Sequence, residues 1–428
     1  METNKKNWDI AILKDIILTA SGGTPSRKKI QYFQGNIPWV KSGELTDSYI
    51  YETEEHISES AVHSSSAKIF PKGSLLIALY GATIGKMAFL GVPAATNQAV
   101  CCLFNSPSIN SYFLFYYLLL KRSFLINQGK GGAQKNISQE TLKLLQIPVP
   151  PMAEQKRIVK KIEELFGVID EQVKRLEATQ EALVSYRQSI LQQAFSGKLY
   201  KTSTWEEVPL KKCCLPVIKR KDSKDPSEKF LYLDIASIDN KTNKIIEGTP
   251  YRGDTAPSRA RQIVQKDDVL FSTVRTYLKN IALITDSKYN NQIASTGFCV
   301  IRANQKMLLP YFIFYKTLSD AFLSPLNAKQ RGSSYPAVRD GDVLSSIIDL
   351  PSLPDQKAIV KKIETAFAFA DKVQTVITDA LEQAKQLKQS ILKRAFEGQL
   401  VSQDPNDKPV DLTQLKKEKP NDRSHLNQ

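Results

Sequence analysis

The stretch Q-K-R-I-V-K-K-I-E, Gln155–Glu163, is written again as Q-K-A-I-V-K-K-I-E, Gln356–Glu364, 201 residues further on. Extended without gaps, the match aligns Ile147–Leu199 with Ile348–Leu400, and 21 of 53 positions are identical. The far ends agree as well: Q-S-I-L-Q-Q-A-F-S-G-K-L (Gln188–Leu199) against Q-S-I-L-K-R-A-F-E-G-Q-L (Gln389–Leu400). Each half also opens on a tryptophan, W-D-I-A-I-L-K at Trp8–Lys14 and W-E-E-V-P-L-K at Trp205–Lys211. The chain is therefore a tandem duplication, each half a domain followed by the repeated segment.

The repeated segment has a seven-residue period. Ile162, Ile169, Leu176, Leu183 and Ile190 recur in the first copy, interleaved with Ile158, Leu165, Gln172, Thr179, Tyr186 and Gln193. The second copy gives Ile363, Ala370, Ile377, Ala384 and Ile391, interleaved with Ile359, Ala366, Val373, Ala380, Leu387 and Arg394. Five heptads with charged flanks predict a coiled-coil helix. Pro151 and Pro354 stand at the starts, where proline is tolerated, and Gly197 and Gly398 at the ends, where glycine caps. A helix of about 45 residues is about 65 Å long. Large residues in one seam face alternating Ile and Ala in the other, which predicts that the two helices are partners. If the halves are related by a pseudo-twofold axis, the helices run antiparallel. The predicted seam is Ile158, Ile162, Leu165, Ile169, Leu176, Leu183, Ile190, Ile359, Ile363, Val373, Ile377, Leu387 and Ile391.

The expected fold is α+β: two similar globular domains separated by a pair of long antiparallel coiled-coil helices. The expected boundaries are 1–150, 151–199 (first helix), 200–350, 351–400 (second helix) and a flexible tail, 401–428, with at most a short helix around Leu412–Lys419. Strand-like runs in the first domain are Ile37–Val40, Ser74–Tyr80 and Ala99–Phe104, followed by a helical Tyr112–Lys121. The second domain repeats the order with Phe230–Ile235, Asp268–Val274, Phe298–Ile301 and the helical Leu309–Leu318.

Composition narrows the function. A net charge of +15, spread along the chain, favours a polyanionic partner. The longest apolar run, Tyr112–Leu120, is too short to span a bilayer. The opening M-E-T-N-K-K-N-W-D-I has no apolar signal core, so the cytoplasm is the expected compartment. The five cysteines lack C-x-x-C spacing and are expected as buried thiols.

The loops between elements differ between the halves and are rich in groups that contact nucleic acid. In the first domain the candidates are Arg27, Lys28, Lys29, Lys41, Tyr80, Thr83, Lys86, Asn97, Gln98, Lys130, Gln134 and Lys135. In the second they are Lys219, Arg220, Lys221, Arg259, Arg261, Arg275, Tyr277, Lys279, Lys329, Arg331, Ser333, Ser334 and Tyr335. Lys and Arg neutralise phosphates, and Arg, Lys, Asn and Gln read base edges. Taken singly, each is an ordinary surface residue; taken as a set, the loops point to DNA.

Catalytic signatures are missing. G-A-T-I-G-K-M (Gly81–Met87) fails as a phosphate loop, because Met87 stands where Ser or Thr must hold Mg2+. No N-P-P-Y or D-P-P-Y tetrapeptide occurs, and three histidines do not make a triad or a metal site. No metal and no catalytic residue is expected. A two-domain DNA-binding regulator, an enzyme in its own right and a coiled-coil scaffold remain as alternatives.

I-P-V-P-P-M-A-E-Q-K-R-I-V (Ile147–Val159) and its second copy resemble the repeated region of specificity subunits of type I restriction–modification systems. So do G-G-T-P-S (Gly22–Ser26), I-P-W-V-K-S-G-E-L (Ile37–Leu45), G-A-T-I-G-K with T-N-Q-A-V (Gly81–Lys86, Thr96–Val100) and I-A-S-T-G-F-C-V-I-R (Ile293–Arg302). The second copy departs from the pattern, with Asp349 and Ser352 in place of prolines. The resemblance implies a non-catalytic reader of double-stranded DNA. Each domain would be a target recognition domain for one half of a bipartite site. The helix pair would set the gap and dock two methyltransferase subunits that modify adenine with S-adenosylmethionine. Restriction/translocase subunits using ATP and Mg2+ would join them. No cofactor would sit in this chain.

Overall fold

The first domain is organised by three strands that are buried along their whole length, Leu75–Ala78, Met87–Leu90 and Val100–Leu103. Their side chains alternate between two cores, as period-two geometry demands. Leu75 and Ile77 face a core shared with the helices, while Leu76 and Ala78 face a second core with Val40, Leu45 and Phe70. The computed structural model describes residues 8–129, 136–201, 204–220 and 225–412. They form two compact units, Met1–Lys174 with Leu381–Gln428, and Arg175–Ala380.

In the first unit a five-stranded sheet has the spatial order Thr19–Ser21, Val100–Leu103, Leu75–Ala78, Met87–Leu90 and Tyr49–Ile50. A four-stranded sheet has the order His56–Ile57, Ile37–Val40, Ala94–Thr96 and Ile69–Phe70. The predicted helix at Tyr112–Lys121 is the middle of a longer one, Ser111–Gln128, whose first N–H groups are capped by Asn110. Asp9–Ile12 pairs antiparallel with Gln146–Val149, tying the start of the domain to its exit.

The second unit repeats this plan. One sheet has the order Cys214–Leu215, Phe298–Ala303, Asp268–Ser272 and Ile281–Leu283; the other is Thr249–Arg252, Lys229–Leu233, Gln292–Ser295 and Ala260–Val264. Glu206–Pro209 pairs with the exit strand Ile347–Leu350. The covering helix is split here into Pro310–Leu318 and Asp320–Asn327, because Ser319 adopts an extended backbone and caps the second piece. Both domains are thus mixed α and β, with matching element order.

The two long helices are Met152–Phe195 and Leu353–Phe396, 44 residues each. Gly197 (φ 74°) and Gly398 (φ 66°) end them in the left-handed conformation. In the closing turns Lys198 N–H donates to Gln193 O and Gln399 N–H to Arg394 O, as a glycine-terminated helix requires.

The opening phrase has a use that heptad spacing did not disclose. Gln155 is fully buried: its Oε1 accepts from Asn110 N–H at 2.7 Å, and its Nε2 donates to Ser108 O (3.3 Å) and Pro150 O (2.9 Å). Gln356 does the same with Leu309 N–H (2.8 Å), Met307 O (2.8 Å) and Pro351 O (2.9 Å). Each glutamine satisfies the cap of the domain's helix and the turn before the long helix at once, so the junction has one geometry.

Packing along the helices differs from a simple seam. In the first unit Ile158, Ile162 and Ile169 share a core with Ile391, Leu392, Ala395 and Phe396 and with the domain itself; Leu165, Val173 and Ala384 flank it. Asp170 pairs with Lys388 there. In the second unit Ile190, Leu191, Ala194 and Phe195 share a core with Ile359, Val360 and Ile363, and Arg187 pairs with Asp371 at 2.5 Å. Each compact unit therefore takes one end of each helix, rather than a domain plus the helix that follows it. Val373 is half-buried and Ile377 buried; Leu176 and Leu183 are half-buried. Leu387 is a correction: it is 52 % exposed. The helix ends turn a different face to the domains, burying Leu392, Ala395 and Phe396, and a 3.6-residue helix drifts off a strict seven-residue stripe.

The stretch after Leu400, expected as a flexible tail, packs as far as Leu412. Val401, Val410 and Leu412 lie against the first core, and Asp407 pairs with Arg157 at 2.5 Å. Scattered apolar anchors in a polar stretch explain why composition misread it. Beyond Leu412, the short helix expected at Leu412–Lys419 falls outside the described residues. No helix among the described residues is long and apolar enough to cross a membrane.

Candidate nucleic-acid interface

The candidate loops are brought together by backbone hydrogen bonds around one residue in each domain. In the first, Leu79 N–H donates to Ala99 O (2.8 Å) and Leu79 O accepts from Ile137 N–H (2.9 Å). This gathers the Tyr80–Lys86 hairpin, the Thr96–Ala99 turn and Asn136, which bridges Tyr80. In the second, Thr273 N–H donates to Gly297 O (2.9 Å) and Thr273 O accepts from Val338 N–H (2.9 Å). The loops holding Arg275–Lys279 and Arg331–Tyr335 meet there, through the bridge Val274–Ala337. Thr296 N–H also donates to Arg259 O, which brings Arg259 to the same place.

Side chains divide into those that hold the loops and those that face solvent. Arg27 lies over the rings of Phe33 (4.3 Å) and Trp39 (5.1 Å) and pairs with Glu55, which also pairs with Lys41 (3.1 Å). Arg27 and then Lys41 hold the Glu55 carboxyl below its usual range. The hydrogen bonds of Glu54 and Glu55 hold the Lys41 amine above its own. Thr24 Oγ1 donates to Gln98 Oε1, joining the first loop to the turn. Asn97 is half-buried, its Oδ1 accepting from Ala99 N–H, so it shapes the turn. Lys29 donates to Tyr32 Oη; Lys28, Tyr80 and Lys86 are exposed, and Thr83 donates to Tyr80 O.

In the second domain Arg220 is locked inward. Its side chain is 7 % exposed, pairs with Glu228 at 2.5 Å and stacks on Phe230. Its backbone N–H donates to Arg261 O, so Lys219–Arg220 and Ser258–Arg261 lie side by side. Arg261 Nε donates to Ser258 O. Arg331 pairs with Asp342 at 2.7 Å and drives that carboxyl down to about 2. Lys279 pairs with Asp320 at 2.9 Å. Arg259, Tyr277, Lys329, Ser333, Ser334 and Tyr335 are exposed. Lys130, Gln134, Lys135 and Lys221 lie outside the described residues.

Sequence reading missed one cleft of the second domain, where Lys229, Arg252 and Lys288 surround Phe230 and Tyr251. These basic residues sit singly on separate strands and turns, so no charge cluster in the sequence marks them. Cys101, Cys102, Cys213 and Cys299 are buried, Cys214 is half-buried, and none is bridged. Burial pushes the thiols of Cys101 and Cys102 up to about 12, which makes them packing groups rather than nucleophiles.

Two basic, loop-built faces on duplicated domains, each locked to a long helix, define a paired recognition protein. The family model for the type I restriction modification DNA specificity domain matches residues 5–178 and 203–383. The chain therefore belongs to the family of type I restriction–modification specificity subunits, carries two target recognition domains, and is a recognition component rather than an enzyme. It is similar to the type I restriction enzyme EcoKI specificity subunit of Escherichia coli strain K12, 24 % identical over 93 % of this chain and 90 % of that one. The MjaIX specificity subunit of Methanocaldococcus jannaschii is 33 % identical over 40 % of this chain and 41 % of its own. Among solved structures, the HsdS subunit of Thermoanaerobacter tengcongensis is 42 % identical over 44 % of this chain and 48 % of that one, with a TM-score of 0.40.

Proposed function

We propose that each domain reads one half of an asymmetric bipartite site in double-stranded DNA. The two long helices form one antiparallel pair that sets the gap and docks two methyltransferase subunits; restriction subunits join that assembly. The proposed division is 1–150 and 200–350 for the readers, with 151–199 and 351–400 as spacers. The observation that carries this is a shared backbone with unshared loops. The Leu79 and Thr273 hydrogen bonds match, while the residues presented around them differ. Equal scaffolds with unequal reading residues suit two different half-sites.

Both units support a single helix register. Going from Asp170 to Arg187 on the first helix goes from Lys388 to Asp371 on the second, the same number of residues in the opposite direction. A rigid spacer makes distance part of specificity, and two linked readers gain affinity through effective concentration. The adenine-directed chemistry, with S-adenosylmethionine, ATP and Mg2+, belongs to the partner subunits. The test is to exchange residues 8–146 for the corresponding domain of another specificity subunit and to map methylated motifs. One half-site changes if the proposal holds; a change in both, or in neither, counts against it.

A further inference from the structure

The hairpin after Asp268–Ser272 in the second domain has the backbone of the hairpin after Leu75–Ala78 in the first. In the second domain the 3-10 turn Thr276–Leu278 follows a left-handed residue; in the first the 3-10 turn Gly81–Thr83 opens on one. A second left-handed residue leads into the next strand. In the first domain these residues are glycines, Gly81 (φ 64°) and Gly85 (φ 78°). In the second they are Arg275 (φ 47°) and Lys279 (φ 54°). Left-handed backbone suits glycine and strains a residue with a Cβ. Strain held at a loop tip is a pointer to use.

Lys279 is explained by its ion pair with Asp320. Arg275 is not. Among the described residues no carboxylate pairs with it, unlike Arg27, Arg220 and Arg331. Its backbone N–H donates to Pro336 O (2.7 Å) and its Nη2 to Ser334 O (3.1 Å). Its guanidinium lies over the ring of Tyr335 at 5.0 Å, and its Nε is buried with no partner among the described residues. Tyr335 is 73 % exposed and the neighbouring Tyr277 51 %. At the equivalent Gly81 a Cβ would meet nothing within 4 Å, while Arg275 itself is half-buried. The result is a flat cation, held on one edge and one face, at the tip of a strained loop.

We propose that Arg275 reads a guanine in the half-site of the second domain, with Tyr335 as the shelf that fixes its plane. This rests on the assignment of that domain to DNA recognition. A planar, pre-oriented guanidinium fits the paired acceptors O6 and N7 of guanine in the major groove. A phosphate contact needs neither the stacked plane nor the strained backbone.

The experiment uses the full chain co-expressed with its methyltransferase partner, with methylated motifs mapped for the parent, Arg275→Gly and Arg275→Lys. Binding by the purified complexes is measured on the parent site and on sites changed at single base pairs. With Arg275→Gly, the first half-site and the gap stay, and one G·C position of the second half-site becomes degenerate. Discrimination at that base pair falls roughly ten- to hundred-fold. Arg275→Lys falls between, since an ammonium lacks the planar fork. The thermal midpoint of Arg275→Gly is no lower than the parent's, because glycine relieves the left-handed position, so a lost base preference is not a lost fold. An unchanged motif overturns the proposal. So does uniform weakening with the motif intact, which marks a phosphate contact, and so does a change confined to the first half-site. A parent complex with no bipartite motif overturns the larger assignment, and this one with it.

Discussion

Two places in this molecule are duplicated in opposite ways. At the junctions, Gln155 and Gln356 repeat both the residue and all three hydrogen bonds. At the hairpins, Gly81 and Gly85 against Arg275 and Lys279 repeat the backbone and change the residue. Where a domain is held to its helix, identity is kept; at the proposed reading surface, only the geometry is kept.

That contrast breaks most readily at the junctions. Gln155→Leu or Gln356→Leu leaves a helix-cap N–H and two carbonyls buried without partners. Each is expected to destabilise by about 4 kcal/mol, measured by chemical denaturation, with near-equal values for the two sites. Widely unequal values would show that the copies are not equivalent. Next in size is Ile363→Ala, which empties a fully buried site where helix and domain share one core. About 3 kcal/mol is expected from the same measurement.

The hairpin gives a smaller and more selective effect. Gly81→Ala puts a Cβ on a left-handed residue with open space around it, so only backbone strain is added. About 1 kcal/mol is expected, read from the denaturation midpoint. A loss several-fold larger would mean that the first hairpin is braced in a way the second is not. Smallest is Leu387→Ala. An exposed leucine should shift stability by no more than about 0.5 kcal/mol, whereas a seam leucine would cost several times that.

Much of this was legible in the sequence, and what was not has physical causes. Repeat and period located both long helices and their glycine ends, because heptad spacing is local. The buried strands were legible as apolar runs around Leu75–Ala78 and Asp268–Ser272. Leu387 was misread because spacing cannot say where a helix stops facing its partner and starts facing a domain. Gln155 and Gln356 were hidden because a polar residue inside a helix looks solvent-facing until its partners, Asn110 and Leu309, fold against it. The candidate interface was legible as loops but not as side chains. Arg220 and Arg275 both read as loop arginines. Only the fold sets Glu228 beside the first and leaves the second on Tyr335, with no carboxylate pairing it among the described residues.

The proposed helix pair acts as a ruler between the two readers. Its most direct test removes matched heptads from both helices, residues 176–182 and 376–382, which are counterparts in the proposed antiparallel register. Methylated motifs are then mapped in cells carrying the chain and its methyltransferase partner. Both half-sites are expected to stay unchanged, with a gap shorter by about three base pairs, since a heptad rises about 10 Å. An unchanged gap, or an altered half-site in a folded complex, would contradict it.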